Sequence, residues 1–160
     1  MPEAFNKKFL RDAYLEDYRE GLILEYGPVR FEKEDIKNFA EKYDPQYFHV
    51  DEELAEDSQF GGLIASGWHT CSVMMRLLVD NFISKRSSLG SPGVEKILWI
   101  RPVRPNDSLK LKIEIKENRL SKTKPDRGLV RSKIEMFNQH DVLVLEMETT
   151  GFFLSKHSSA

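Results

Sequence analysis

Two stretches of the chain carry apolar residues at the spacing of an α-helix. The first spans residues 31–43, and four of its apolar residues follow the i, i+3, i+4, i+7 pattern of an amphipathic helix: Ile36, Phe39, Ala40 and Tyr43. Because a proline disfavours the helical conformation of the residue before it, Pro45 ends this helix. Asp44 is therefore predicted to lie where the helix passes into a loop.

The second stretch, residues 66–84, is apolar on almost every side of a predicted helix. One stripe along it contains Trp68, Cys71, Met75, Leu78 and Phe82. A helix that is apolar nearly all round is usually buried in the middle of a domain. Ser66 is a favourable N-cap residue, and Arg76 and Asp80 are spaced to form an ion pair between successive turns.

The remaining predicted elements are strands, in which apolar and polar residues alternate. We predict them at residues 22–26, 95–101, 109–115, 130–136 and 142–154. Gly27-Pro28 is expected to end the first strand, and Pro102 the second. The order of one strand, two helices and four further strands predicts an α+β domain, with one sheet packed on one long helix.

Composition and charge exclude several classes of protein. The 160 residues suit one domain, and 40% hydrophobic with 31% charged residues is typical of a soluble globular protein. Lys and Arg number 24 against 26 Asp and Glu, which argues against general nucleic-acid binding because that needs a concentrated basic surface. Residues 1–20 lack the apolar core of a signal peptide, and no stretch is apolar enough to span a bilayer. The single cysteine, Cys71, indicates a reducing compartment, so we expect a cytoplasmic protein.

Candidate chemistry concentrates around the end of the first helix and the start of the second. Asp44 and His49 lie five residues apart, and a glycine-rich segment, residues 61–67, leads into the second helix. Glycine allows a backbone to approach a ligand closely, and a helix start presents unpaired N–H groups to a developing negative oxygen. These residue types suit proton transfer combined with stabilisation of an oxyanion.

The spacing of these residues resembles that of the MaoC-like dehydratase family, which includes the R-specific enoyl-CoA hydratases. In that family an aspartate is followed five residues later by a histidine, and about eighteen residues further on by a glycine. Asp44, His49 and Gly67 match those intervals.

The resemblance extends beyond this motif. The predicted helix at 66–84 matches the central helix of the family, and residues 90–107 resemble its next strand and turn. The resemblance covers residues 22–154 and implies a hot-dog fold, in which an antiparallel sheet wraps around one long central helix. Residues 1–21 are then a charged leader and residues 155–160 a C-terminal tail.

The resemblance also implies an enzyme, a hydratase or dehydratase that adds water reversibly to an enoyl-CoA thioester to give a 3-hydroxyacyl-CoA. Asp44 and His49 would share one water molecule, and the Gly67 N–H would hold the thioester carbonyl. This chemistry needs no metal or organic cofactor. The candidate substrate-binding residues are Gly62, Ser66, Trp68, Arg101 and Arg104. Of these, the two arginines could meet the phosphates of CoA.

The chain departs from the family pattern at three places. Gln46-Tyr47 replaces the usual asparagine–proline pair, and Ser66 replaces the histidine before the glycine. Met75 aligns with a serine of the family, although Ser72 is nearby. These departures leave the shape of the loop and the preferred acyl chain open.

Two other functions stay open on the same fold. A thioesterase would cleave the thioester, but hot-dog thioesterases generally carry a carboxylate on or beside the central helix. Asp80, late in the helix, is the only acid between Ser66 and Ser84. A non-catalytic module would bind acyl-CoA without turnover.

Other polar residues have simpler interpretations. His69 is expected to be a hydrogen-bonded core or interface residue, and a metal site formed by His49, Asp51 and His69 lacks any recognised ligand spacing. A homodimer or a higher homo-oligomer is expected, because a single sheet over one helix leaves a sheet edge and one side of the pocket open.

Overall fold

The computed structural model describes residues 10–157, which form a five-stranded sheet and several helices. The strands are β1 (Ile23–Arg30), β2 (Gly93–Trp99), β3 (Ser108–Leu120), β4 (Arg127–Phe137) and β5 (Leu143–Leu154). The α-helices that precede β2 are α1 (Lys33–Tyr43), α2 (Tyr47–Val50), α3 (Glu52–Glu56) and α4 (Gly67–Asn81). A single 3₁₀ turn, Leu15–Asp17, comes before β1.

The sheet has the strand order β1-β3-β4-β5-β2, and every neighbouring pair is antiparallel. The alternation predicted for β3 is confirmed, since its inward-facing side chains are all buried: Leu109, Leu111, Ile113 and Ile115. These side chains share one hydrophobic core with Met74, Leu77 and Leu78 of α4. The predicted α+β arrangement of one sheet packed on one long helix is therefore confirmed.

The start and the pairing of α4 agree with the sequence, but its burial does not. Ser66 is the N-cap residue, and Arg76 pairs with Asp80 at 3.0 Å. The exposed fractions of Trp68, Met75 and Val79 are 57%, 46% and 49%. The prediction of a helix buried on nearly all sides is thus wrong for the single chain, because the sheet covers α4 from one side only.

Strand β1 continues past the glycine–proline pair that was predicted to end it. Its pairing with β3 shifts register between Tyr26 and Val29, and the strand then runs on to Arg30. Because β1 is an edge strand, Pro28 can lie in it without removing a hydrogen bond that a central strand would need.

Strand β2, at the opposite edge of the sheet, lies two residues earlier than the predicted segment 95–101. Arg101 consequently follows the strand and lies in the connection to β3. Val94 and Leu98 are exposed on this edge. The edge therefore presents apolar side chains to the solvent of the single chain.

Part of the predicted leader belongs to the hydrophobic core. Four of its residues are almost fully buried: Leu10, Ala13, Leu15 and Tyr18. The Tyr18 hydroxyl donates to the Phe82 carbonyl at 2.7 Å and accepts from the Ser84 N–H at 3.0 Å. This segment is thereby tied to the end of α4, while residues 1–9 of the predicted leader lie outside the described residues.

The predicted tail is anchored where it is described. Ser155 is buried, and its hydroxyl donates to a carboxylate oxygen of Glu16 at 2.8 Å. Residues 158–160 lie outside the described range. Among residues 10–157, every helix is too short or too polar to cross a membrane.

Candidate active site

An acid and an imidazole face each other between α1 and α4. Asp44 is the C-cap residue of α1, and its N–H bonds to the Ala40 carbonyl at 2.8 Å. His49 follows in the single turn of α2. The His49 Nε2 atom lies 3.3 Å from Asp44 Oδ2, and the two side chains are only 5% and 18% exposed. The predicted pair is thus brought into direct contact at a shielded position.

The backbone fixes which nitrogen of His49 faces the acid. His49 Nδ1 lies 2.8 Å from the carbonyl oxygen of Ile64. A carbonyl oxygen only accepts hydrogen bonds, so Nδ1 carries a proton and donates it to that bond. The other ring nitrogen, Nε2, is the one that faces the Asp44 carboxylate. The Phe48 ring packs edge-on against the imidazole at 4.6 Å and supports this orientation.

Both oxygens of the Asp44 carboxylate accept hydrogen bonds. Ser66 Oγ donates to Oδ2 at 2.7 Å, and Gln46 Nε2 donates to Oδ1 at 2.8 Å. Partial burial raises the pKa of Asp44, but these two hydrogen bonds and the neighbouring His49 outweigh it and hold the pKa below its ordinary value. Asp44 is therefore ionised at neutral pH.

Gly67 is the first residue of α4, and its N–H has no acceptor among residues 10–157. The N–H groups of a helix start carry partial positive charge and favour a negative oxygen. A Cβ atom at this position would come within 2.4 Å of Trp99 Nε1 and Cε2. Only glycine therefore fits beneath the Trp99 indole without displacing it.

A cavity of about 460 Å³ brings these groups together. Its polar lining comprises Asp44, Gln46, His49, Thr70 and Arg101. Most of the remaining wall is apolar: Phe48, Phe60, Ile64, Ala65, Trp68, Trp99, Ile100, Pro102, Val103 and Val144. An acid, an imidazole and a free backbone N–H thus converge at the edge of a largely apolar space.

The candidate substrate-binding residues fall into two groups. Trp68 and Arg101 line the cavity, and Ser66 lies fully buried behind Asp44. Gly62 and Arg104 lie outside the cavity. The Arg104 guanidinium donates to the Phe60 carbonyl and lies 3.3 Å from where a Cβ of Gly62 would be. Arg104 therefore holds the glycine-rich loop through its contact with the Phe60 carbonyl.

His69 lies in the core, which is one of the two places that the sequence predicts for it. It is 8% exposed and packs between the rings of Phe31 and Phe39, with centroids 4.9 Å away on each side. Its Nδ1 has no hydrogen-bond partner within residues 10–157, so it is a core residue but not a hydrogen-bonded one. The described residues contain no cluster of three or more His, Cys, Asp or Glu side chains that could hold a metal ion.

Three residues of this site are absent from the candidates that the sequence indicates. Gln46 could have been found from its position two residues after Asp44, and Thr70 from its position one turn after Gly67. No sequence signal indicates Trp99, because its contact with Gly67 depends on how the end of β2 packs beside α4.

Comparisons with known proteins agree with this architecture. The chain is 29% identical over 134 residues to the uncharacterized protein YdeM of Bacillus subtilis, covering 84% of this chain and 94% of that one. It superposes on the crystal structure of a MaoC-like dehydratase from Rhodospirillum rubrum with a TM-score of 0.84 and 36% identity, over 90% of this chain and 98% of that chain. The R-hydratase PhaJ1 of Pseudomonas aeruginosa shares the fold, with a TM-score of 0.75 at 23% identity, over 91% of this chain and 88% of that one.

These similarities confirm the hot-dog fold that the sequence predicts. The MaoC like domain matches residues 22–135, which is most of the chain. The chain therefore belongs to the MaoC-like domain family.

Proposed function

We propose that the protein is a hydratase or dehydratase that adds water reversibly to an α,β-unsaturated acyl-CoA thioester, giving a 3-hydroxyacyl-CoA. The observation that carries this proposal is the 3.3 Å contact between His49 Nε2 and Asp44 Oδ2 beside a Gly67 N–H without an acceptor among residues 10–157. The names of two similar proteins, a MaoC-like dehydratase and an R-hydratase, support the same class of reaction.

The proposed reaction begins with one water molecule held between the two side chains. In the hydration direction the water oxygen forms a bond to C3 of the enoyl group, and one water proton passes to Nε2 of His49. The π electrons of the double bond move towards the thioester and give an enolate. Nε2 then returns the proton to C2, so the net change is addition of one water. Each positioned proton-transfer group of this kind contributes about 10²–10⁴-fold to a rate.

Asp44 has two parts in this scheme. Its ionised carboxylate accepts the second hydrogen of the water, which orients the oxygen towards C3. Its negative charge also balances the imidazolium that forms on His49 during the reaction. Because hydrogen bonds hold the pKa of Asp44 low, the carboxylate stays charged throughout and leaves the proton on His49.

Gly67 provides the donor that the enolate needs. Gly67 lines the same cavity as Asp44 and His49, at the start of the 15-residue helix α4. An oxyanion held by one such donor is typically stabilised enough to raise a rate by about 10²–10³-fold. The helix dipole adds to this stabilisation because its positive end points to the cavity.

The rest of the cavity suits an acyl thioester of CoA. The aromatic side chains Phe48, Phe60, Trp68 and Trp99 offer an apolar wall to an acyl chain. Arg101 lies at the cavity and is exposed, and its guanidinium donates one hydrogen bond, to the Ile100 carbonyl at 3.0 Å, which leaves its other N–H groups for a ligand. We assign this arginine as a contact for the CoA phosphates.

The same features argue against thioester cleavage. Asp80, the only acid in α4, lies near the far end of the helix and pairs with Arg76 at 3.0 Å. It does not line the cavity, so it cannot direct a water at the thioester carbon held by Gly67.

Purified protein mixed with crotonyl-CoA tests the proposal. Loss of the absorbance of the conjugated thioester, abolished in an Asp44→Asn control, is the expected result. Release of free CoA thiol would instead establish a thioesterase. Both tryptophans of the chain line the cavity, so their fluorescence reports binding. A fluorescence change without loss of absorbance or release of thiol would favour a binding module.

We also propose that the protein works as a homodimer, or a higher homo-oligomer, in the cytoplasm. Trp68, Met75 and Val79 on α4 and Leu98 on the β2 edge expose apolar surface that a second copy would cover. Light scattering after gel filtration should give at least twice the chain mass of 18.6 kDa. A monomer at that mass would contradict this part of the proposal.

A further inference from the structure

One buried hydroxyl joins the candidate carboxylate to the helix that carries the oxyanion donor. Ser66 is fully buried, and its Oγ donates to Asp44 Oδ2 at 2.7 Å. The same Oγ accepts the Trp68 N–H at 3.3 Å and so caps the first turn of α4. Gly67 lies between Ser66 and Trp68 in the chain. The position of its N–H is thus linked to the position of the Asp44 carboxylate through one side chain.

The neighbouring backbone holds the other half of the site. Ile64, two residues before Ser66, accepts the hydrogen bond from His49 Nδ1. The short segment 64–67 therefore contacts Asp44 and His49 and contains the Gly67 N–H. A displacement of this segment would change the distances among all three groups together.

We propose that Ser66 is a positioning residue, which fixes Asp44 relative to both His49 and the Gly67 N–H. This inference rests on the proposed hydratase function. A hydroxyl suits the position because it donates one hydrogen bond and accepts another within a single short side chain. An aspartate would cap the helix equally well, but it would place a second negative charge against Asp44.

The burial of Ser66 distinguishes it from the other donor to Asp44. Gln46 is exposed, so water can replace its amide if the side chain is removed. Water cannot easily replace Ser66, and a buried carboxylate oxygen that loses its donor is left poorly solvated. The hydrogen bond from Ser66 is also the largest of the contributions that lower the pKa of Asp44.

The chain offers a matched control at the opposite end of the domain. Ser87 is also fully buried, and its Oγ donates to the Ala13 carbonyl at 2.7 Å. Ser87 does not line the cavity. Ser66→Ala and Ser87→Ala thus each remove one buried hydroxyl of the same hydrogen-bond length, and only the first touches Asp44.

The experiment measures crotonyl-CoA hydration and, separately, the Asp44 carboxyl pKa by carbon NMR titration. For Ser66→Ala we expect kcat to fall by about tenfold to a hundredfold with KM changed far less, as for a misplaced catalytic group. The pKa of Asp44 should rise towards its ordinary value. Ser66→Thr, which keeps the hydroxyl, should recover most of kcat, and Ser87→Ala should change neither kcat nor the pKa of Asp44.

Two results would overturn the proposal: an unchanged kcat and Asp44 pKa in Ser66→Ala, or equal losses of kcat in Ser66→Ala and Ser87→Ala. If Ser66→Ala does not fold, Ser66→Gly supplies the same test, because glycine is an acceptable N-cap residue without a hydroxyl. Failure of the hydratase proposal is recognised separately, as absence of turnover in the unmodified protein. The NMR titration of Asp44 in the same variants then still decides whether Ser66 controls this carboxylate.

Discussion

The two ends of α4 use their backbone groups in opposite ways. At the C-terminal end, the Phe82 carbonyl and the Ser84 N–H both bond to the Tyr18 hydroxyl, at 2.7 and 3.0 Å. At the N-terminal end, the Gly67 N–H has no acceptor among residues 10–157, and Gly67 lines a cavity together with Asp44 and His49.

A helix leaves about four backbone groups without partners at each end, so this contrast has consequences for stability and for binding. Where the protein itself supplies the partners, the end of the helix contributes to the free energy of unfolding. Where it leaves a donor open, that donor is available to a ligand. We therefore expect substitutions at the N-terminal end of α4 to change turnover, and substitutions at the C-terminal end to change stability.

The largest effect should come from removing the acid–imidazole pair. Asp44→Ala and His49→Gln should each lower kcat for crotonyl-CoA by about 10³-fold, since both act on the same water. The double variant should be hardly worse than either single variant, because residues that act as a unit are not additive. Steady-state kinetics of the three variants measure this. Two losses that multiply in the double variant would show that the residues act in independent steps.

Filling the space above the oxyanion donor should have the next largest effect. In Gly67→Ala the new Cβ would lie 2.4 Å from the Trp99 indole, so the helix start or the indole must move. We expect kcat to fall by roughly 10²-fold, the typical loss for one oxyanion donor. Adding Trp99→Leu should recover part of kcat by making room. The steric explanation fails if the second substitution recovers nothing while the protein stays folded.

At the other end of the helix, Tyr18→Phe should lower the free energy of unfolding by about 1–3 kcal/mol, because two buried backbone groups lose their partner. Urea unfolding followed by circular dichroism measures this change. For the folded fraction, kcat should stay within about twofold of the unmodified protein, because Tyr18 does not line the cavity. A large loss of kcat without loss of stability would contradict the division between the two ends.

The smallest effect concerns the pH dependence of stability near His69. Burial lowers the pKa of His69, while Asp35 raises it by a smaller amount. The folded protein therefore binds a proton at His69 less readily than the unfolded chain, whose histidine has a pKa of about 6.5. Stability should fall as the pH drops below that value, because the unfolded chain then takes up the proton first.

His69→Leu should remove this part of the pH dependence. Urea unfolding at neutral and mildly acidic pH should give a smaller loss of stability in the variant than in the unmodified protein. The expected difference is a fraction of the Tyr18→Phe effect. An identical pH dependence in both proteins would show that His69 is protonated equally easily in the folded and unfolded chains.

Local pattern was enough to predict most of the fold. The helical spacing from Ile36 to Tyr43 and the alternation in β3 specify elements that short-range geometry determines. The five-residue interval between Asp44 and His49 also brings their side chains into contact, because one helix end and one turn separate them. The position of Ser66 as the N-cap of α4 is likewise a local property.

Features that depend on contacts between distant segments of the chain could not be predicted from local pattern. Arg104 is as basic in the sequence as Arg101, but only Arg101 lines the cavity, and the Arg104 guanidinium donates to the Phe60 carbonyl instead. Trp99 covers Gly67 because the end of β2 lies beside α4, although 32 positions separate the two residues in the sequence. Met75 is exposed because the sheet covers only one side of α4. Its neighbours in the sequence are apolar, so the local pattern predicts a buried residue instead.

The most direct test compares the two ends of α4 in one assay, the rate of crotonyl-CoA hydration per folded molecule. We predict that Asp44→Asn loses about 10³-fold of the rate, whereas Tyr18→Phe keeps it within about twofold. An Asp44→Asn variant that hydrates crotonyl-CoA as fast as the unmodified protein would contradict the central claim that the N-terminal end of α4 carries the chemistry.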